Sequence, residues 1–216
     1  VAVVYTDQMG GSASVNFDRL VFADNGDGTV TVTMPESYPM QMAFPEQEDG
    51  PGSIKLTISQ PGLLITAGGS AAETKYDFAA PNVSVVLDEV KDQAGAVMDS
   101  DASLTLTDSV ASYLVATSGD ATALDSTFAA KSLALTMSGQ DPAGPGDGTA
   151  NGAVTLSLTD LAGSTKGNLL GAEIMANMAT ALNSGFTSDT NLSFGTMAFT
   201  ADITDATGPT SVKGSA

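Results

Sequence analysis

Apolar and hydroxyl residues alternate along most of this chain. The run "TVTVTM" sets Val30, Val32 and Met34 on one side and Thr29, Thr31 and Thr33 on the other. "YPMQMAF" does the same with Tyr38, Met40, Met42 and Phe44, and "SIKLTI" with Ile54, Leu56 and Ile58. The pattern returns in "SLTLTD" (Leu104, Leu106), "SLALTM" (Leu133, Leu135, Met137) and "AVTLSL" (Val154, Leu156, Leu158). A period of two, with one apolar and one Ser/Thr side, predicts antiparallel strands whose faces meet different surroundings. Gly, Pro, Asn and Asp punctuate the runs, as turns require.

The period changes once. From Leu169 to Asn183 the text is "LLGAEIMANMATALN", with Leu170, Ile174, Met178 and Leu182 four residues apart and Met175 and Ala181 beside them. This spacing predicts one amphipathic helix near residues 169–184 packed on the sheet, with Gly185 placed as its C-cap. It holds no Lys or Arg, which argues against a membrane-surface helix.

A magnitude then constrains the architecture. About ten strands at 4.8 Å spacing make a sheet nearly 50 Å wide, whereas a fifteen-residue helix is about 22 Å long and 10 Å across. One helix cannot cover such a face. The sheet must curl on itself, split into two packed layers, or leave an apolar groove. The expected fold is mainly β: a large curled antiparallel sheet or half-barrel of repeated meanders with one helix.

The chain also matches itself. "SIKLTISQPGLLITAGGSAAETKYDFAAPNVSVVL" from Ser53 aligns without gaps on "SLTLTDSVASYLVATSGDATALDSTFAAKSLALTM" from Ser103, an offset of fifty residues. Phe78-Ala79-Ala80 then meets Phe128-Ala129-Ala130. A weaker third copy begins near Ala153. Residues 1–216 therefore read as a single β-rich domain with internal repeats at about 53–102, 103–152 and 153–216.

Charge and composition narrow the function. The chain has 7 Lys+Arg against 25 Asp+Glu, a formal net charge of −18. Phosphate binding needs a basic patch, so nucleic acid is excluded, and an anionic membrane surface repels the chain. Without Cys there is no disulfide or thiolate metal site. Without His the commonest general base and transition-metal ligand are missing. No apolar run is long enough to span a bilayer as a helix. The chain begins "VAVVYTD", strand-like from the start, and reads as a mature or excised piece of a longer protein.

Candidate chemistry is sparse. "DNGDG" at residues 24–28 has the residue types of a calcium loop but not its spacing: from Asp24, positions 3 and 5 are Gly26 and Gly28. Asn-Gly and Asp-Gly are strong hairpin signals instead. Asp99 with Asp101, and Glu46, Glu48 and Asp49, are alternative acidic groups that read as solvated loops. Asp88 and Glu89, adjacent at a strand end, point to opposite faces in a regular strand. No cofactor motif appears.

Three stretches, "FADNGDGTVTVTMPESYPM", "PGLLITAGGSAAETKYDFAAPNVSVVLDEV" and "GNLLGAEIMANMATALNSGFTSDTNLSFG", resemble the uncharacterised alphaproteobacterial family known as domain of unknown function 2125. The similarity runs from about Ser14 to the end and rests on phrases rather than a catalytic motif. It implies an extracytoplasmic, periplasmic location and a missing flanking segment, and it brings no catalytic residues. A looser likeness is to open, taco-shaped sheets that handle lipids at bacterial envelopes.

These readings lead to a non-enzymatic envelope protein that holds a lipid-like ligand on the concave sheet face, lined by Tyr38, Met40, Met42, Phe44, Ile54 and Leu56. The alternatives are a surface interaction module whose edge strands pair with a protein partner, and a carboxylate-based or metal-assisted enzyme. In a closed fold the same six residues are core.

Overall fold

The computed structural model describes residues 2–6, 10–45, 51–119, 121–141, 150–205 and 208–216. Among these residues, fifteen strands form one open antiparallel sheet. Its centre is four long strands: β8 (Glu73–Asp92), β10 (Ser100–Ser118), β11 (Ala121–Asp141) and β12 (Ala150–Leu169). Each is long enough to carry two shorter neighbours end to end.

Over one half, β8 pairs β6 (Pro51–Ser59), and β5 (Ser37–Ala43), β2 (Ser12–Asn16) and β1 (Ala2–Thr6) follow outward. On the far side of that half, β12 pairs β14 (Met197–Asp205) and then β15 (Gly208–Ser215). Over the other half, β8 pairs β7 (Leu64–Gly69), then β4 (Thr29–Thr33) and β3 (Val21–Asp24), while β12 pairs β13 (Thr187–Ser193). The two-residue β9 (Val97–Met98) pairs the end of β8. A ten-strand plate and an eight-strand plate thus share the four long strands.

A crease separates the plates. Registered pairing on both sides brings Pro81, Asp108, Lys131 and Asp160 to one level, and these residues fall out of the ladder. Asp108 and Asp160 have positive φ, 47° and 49°. The turns that interrupt the outer strands lie at the same level: a Cβ on Gly62 would touch the Pro81 ring, and one on Gly195 would touch Asp160.

At the crease the apolar positions change phase. On β10 they are Leu104 and Leu106 before it and Ala111, Tyr113 and Val115 after it. Two consecutive polar residues, Thr107 and Asp108, absorb the change, as do Lys131 and Ser132 on β11 and Thr159 and Asp160 on β12. Along β12 the more protected positions include Val154, Leu156 and Leu158, then Leu161, Gly163 and Thr165. Both apolar sets therefore face the same, concave side. The inner corner is lined by small side chains and one leucine, Ala80, Ser109, Ala130 and Leu161, each at most 9% exposed. Ser109 Oγ donates to the Ala80 carbonyl at 3.2 Å, so its hydroxyl is satisfied there.

No second layer covers the concave side. The chain exposes 13515 Å², against about 9200 Å² for a compact monomer of its mass. Among the described residues no large side chain is fully buried, and the buried apolar residues are Ala80, Ala130, Leu161 and Ala181. Of the three outcomes open to so wide a sheet, the chain adopts the curled, uncovered one.

The helical segment is divided in two: α1 (Ala172–Met175) and α2 (Met178–Asn183). Asn177 breaks it by acting as the N-cap of α2, its side chain accepting the Thr180 N–H at 3.1 Å. Ala181 is buried and Leu170 and Ile174 are half-buried, but Met178 and Leu182 are about 60% exposed, so the second half of the stripe spaced four residues apart is not packed on the sheet. Phe78-Ala79-Ala80 and Phe128-Ala129-Ala130 lie level on β8 and β11, both paired through β10. The fifty-residue offset is thus the register step between these alternate strands.

Candidate functional site

The concave face of the ten-strand plate is built from cross-strand rows. One runs from Tyr38 through Ile58 and Val85 to Leu104, and continues through Leu135 and Leu156 to Phe199. The row beside it joins Val15, Met40, Leu56 and Leu87 on one flank and Ala102, Met137, Val154 and Ala201 on the other. A further row joins Tyr5, Ala13, Met42, Ile54, Val90 and Met98.

Of the six residues singled out by sequence, the structure brings five together. Met40 pairs Leu56, Met42 pairs Ile54, and Tyr38 stands beside them opposite Ile58. All five are half-buried. The sixth, Phe44, lies just past the end of β5, more exposed, its N–H donating to the Gly52 carbonyl at 3.1 Å. Burial pushes the Tyr38 phenol pKa up, and its ring meets Phe17 at 5.6 Å. Sequence reasoning missed the rest of the face, on β8, β10, β11 and β12. Their alternation was visible, but nothing in a strand's own pattern says whether a second layer covers it.

A groove of about 380 Å³ is lined by Leu87, Ala102, Met137 and Val154 together with residues of the alternate positions, Asp101, Ser103, Thr136 and Thr155 among them. The rows just named contain no charged side chain. The opposite, convex face holds the ion pairs found among the described residues: Lys55–Glu89 at 2.7 Å, Lys75–Asp77 at 2.9 Å, Lys166–Asp125 at 3.0 Å, Lys91–Glu89 at 3.3 Å and Lys131–Asp108 at 3.8 Å. The ion pairs and the rows just named thus lie on opposite sides of one layer, although Leu114, level with Lys75 and Asp125, shares the charged side.

The acidic candidates resolve differently. "DNGDG" is the hairpin turn between β3 and β4, with Gly26 and Gly28 at positive φ. Asp24 Oδ1 accepts the Gly26 N–H at 2.8 Å, and Asp27 Oδ1 accepts the Thr29 N–H at 3.0 Å and its hydroxyl at 2.6 Å. The Thr29 hydroxyl, then the backbone N–H, holds the Asp27 carboxyl below its ordinary value. Asp99 and Asp101 line a polar groove of about 410 Å³ with Asp202. Among the described residues, no three acidic side chains come close enough to hold a metal ion. Glu46, Glu48 and Asp49 lie outside the described residues.

Asp88 and Glu89 depart from the regular-strand expectation. A bulge shifts the register so that Leu56 meets Leu87 while Lys55 meets Glu89. Asp88 accepts the Thr57 hydroxyl at 2.7 Å and Glu89 takes Lys55, so both reach the same, convex side.

Among the described residues no helix is long and apolar enough to cross a membrane. No family model, curated protein or solved structure matches the chain.

Proposed function

We propose that this is a non-enzymatic cell-envelope protein that holds a lipid-like ligand on the concave face of the ten-strand plate, in an extracytoplasmic, periplasmic setting. Kinship with domain of unknown function family 2125 belongs to the same reading. The observation that carries it is the uncovered apolar face, on a chain whose total exposed surface, polar and apolar together, is about 4300 Å² above that of a compact monomer of this mass. Soluble monomers rarely leave apolar patches beyond a few hundred Å² without a use for them. Met40, Met42, Met98, Met137 and Met197 belong to this plate, and unbranched thioethers adapt to a flexible chain. Each methylene laid on such a surface contributes about 0.8 kcal/mol, so ten give about 8 kcal/mol before the cost of association.

The test is binding of a fluorescent fatty acid to the wild type and to Met42→Asp. The proposal expects saturable binding by the wild type, lost in the variant, with both giving the same far-ultraviolet circular dichroism. Absence of wild-type binding, or unfolding of the variant, contradicts it.

A second reading rests on β1. Val3, Val4 and Tyr5 on this edge are more than half exposed, and the strand has no charge or proline. Such an edge accepts another strand, which favours an interaction module.

A further inference from the structure

The two plates differ in chemistry. The concave face of the ten-strand plate carries methionines, and Tyr5, Tyr38 and Phe199 stand among its aliphatic side chains. That of the eight-strand plate is aromatic: Phe22, Val32, Ile65 and Phe78 form one continuous row, and Phe128 stands in the same row two strands beyond Phe78. The next row pairs Tyr76 with Tyr113 and leads to Ser126, Thr165 and Thr190. Phe78 and Tyr113 meet edge to face at 5.7 Å. Tyrosine rings, with an apolar body and a polar tip, are enriched at protein interfaces. A hydrocarbon chain has no use for the hydroxyls.

We infer that the concave face of the eight-strand plate is a homodimer interface, packed against the same face of a second copy of this chain about a two-fold axis. Area supports this occupant. Eight strands about 4.8 Å apart, four residues long in β3 and five in β4 but averaging about seven over this half, give a face of about 34 by 23 Å, or about 780 Å² per copy, and a standard stable interface takes about 800 Å² per partner. Charge supports it too. A chain of net charge −18 self-associates only through a surface free of like charge. In these rows the one charged side chain is Asp24, at the outer edge, where its carboxylate is engaged by the Gly26 N–H. Lys75, Asp77, Asp125 and Lys166 occupy the convex side.

The crease selects the orientation. With the axis running across the strands, the ten-strand plate of each copy bends past the far end of the other's eight-strand plate instead of colliding with its partner. The axis then lies between the Phe78 and Tyr76 rows and sets Tyr113 of each copy over Ala111 of the other, a large side chain on a small one. The ten-strand plate stays free, so this interface is independent of the proposed ligand.

Sedimentation equilibrium at micromolar concentration tests the inference. The expected mass is twice the 21.6 kDa chain mass, and Tyr113→Asp raises the dissociation constant at least about thirtyfold, as loss of a buried aromatic anchor does. A wild-type monomer at 100 μM overturns it, whether or not lipid is bound. A dimer without lipid leaves it standing and removes the carrier reading instead. Should Tyr113→Asp fail to fold, the absence of native cysteine provides a second route. Ala111→Cys is expected to cross-link with a short bismaleimide and Thr127→Cys, on the convex side, is not. Equal cross-linking of the two overturns the inference.

Discussion

Asp108 on β10 stands opposite Lys131 on β11, its Oδ2 3.8 Å from the lysine Nζ, at the level where the long strands turn the corner between the plates. Both side chains are more than 60% exposed, so the ion pair contributes little. The backbone matters more: Asp108 has φ 47° and Asp160 φ 49°, a region that Asp tolerates and β-branched residues do not. Asp108→Val is expected to cost about 1–3 kcal/mol, Asp108→Gly to be near neutral, and Lys131→Ala to stay within about 0.5 kcal/mol. Urea unfolding checks all three. Equal costs for valine and glycine would show that the corner does not need this conformation.

Leu104 reports on the open face. It sits in the middle of the sheet yet is 36% exposed. Leu104→Ala in the ligand-free protein is expected to cost less than about 1.5 kcal/mol, below the 2–5 kcal/mol of a closed core. A full core penalty in calorimetry would mean that something covers this row.

Glu89 accepts two lysines. The hydrogen bond from Lys55, and secondarily Lys91, holds its carboxyl below the ordinary carboxylate range. The pairing stabilises the fold while Glu89 is ionised, fully so above its unfolded-state value of about 4.3, and is lost as pH falls through the lower folded value. Lys55→Met is expected to raise the Glu89 titration midpoint, measured by side-chain carboxyl NMR. An unchanged midpoint contradicts the assignment.

Gly69 ends β7 with φ +121°, and a Cβ there would collide with the Glu73 carbonyl oxygen. Gly69→Ala should therefore destabilise by more than about 1 kcal/mol. Gly152, in open space without positive φ, should accept alanine at no cost. Thermal unfolding of both variants distinguishes a local steric demand from a general one.

Strand identity was legible because alternation is local: "TVTVTM", "SLALTM" and "AVTLSL" lie in strands whose paired apolar residues share a face. The crease was not legible. "LTDS" at residues 106–109 is one of many polar doublets, and only the register shows that it aligns with Lys131-Ser132 and Thr159-Asp160. The helical stripe near Leu170 was visible, but Asn177 capped the second piece and divided it. That Met40, Met42, Ile54 and Leu56 share one face was legible because they sit on two paired strands close in sequence. Leu104, Leu135 and Leu156 join the same face through non-local pairing, which periodicity does not carry.

A concave face that takes an apolar ligand should carry one when the protein leaves the cell. Native mass spectrometry of protein purified gently from its own envelope, followed by solvent extraction and lipid analysis, tests it most directly. A stoichiometric lipid is expected on each chain, released by extraction and absent from Met42→Asp. A folded protein whose mass is that of bare chains alone would contradict it.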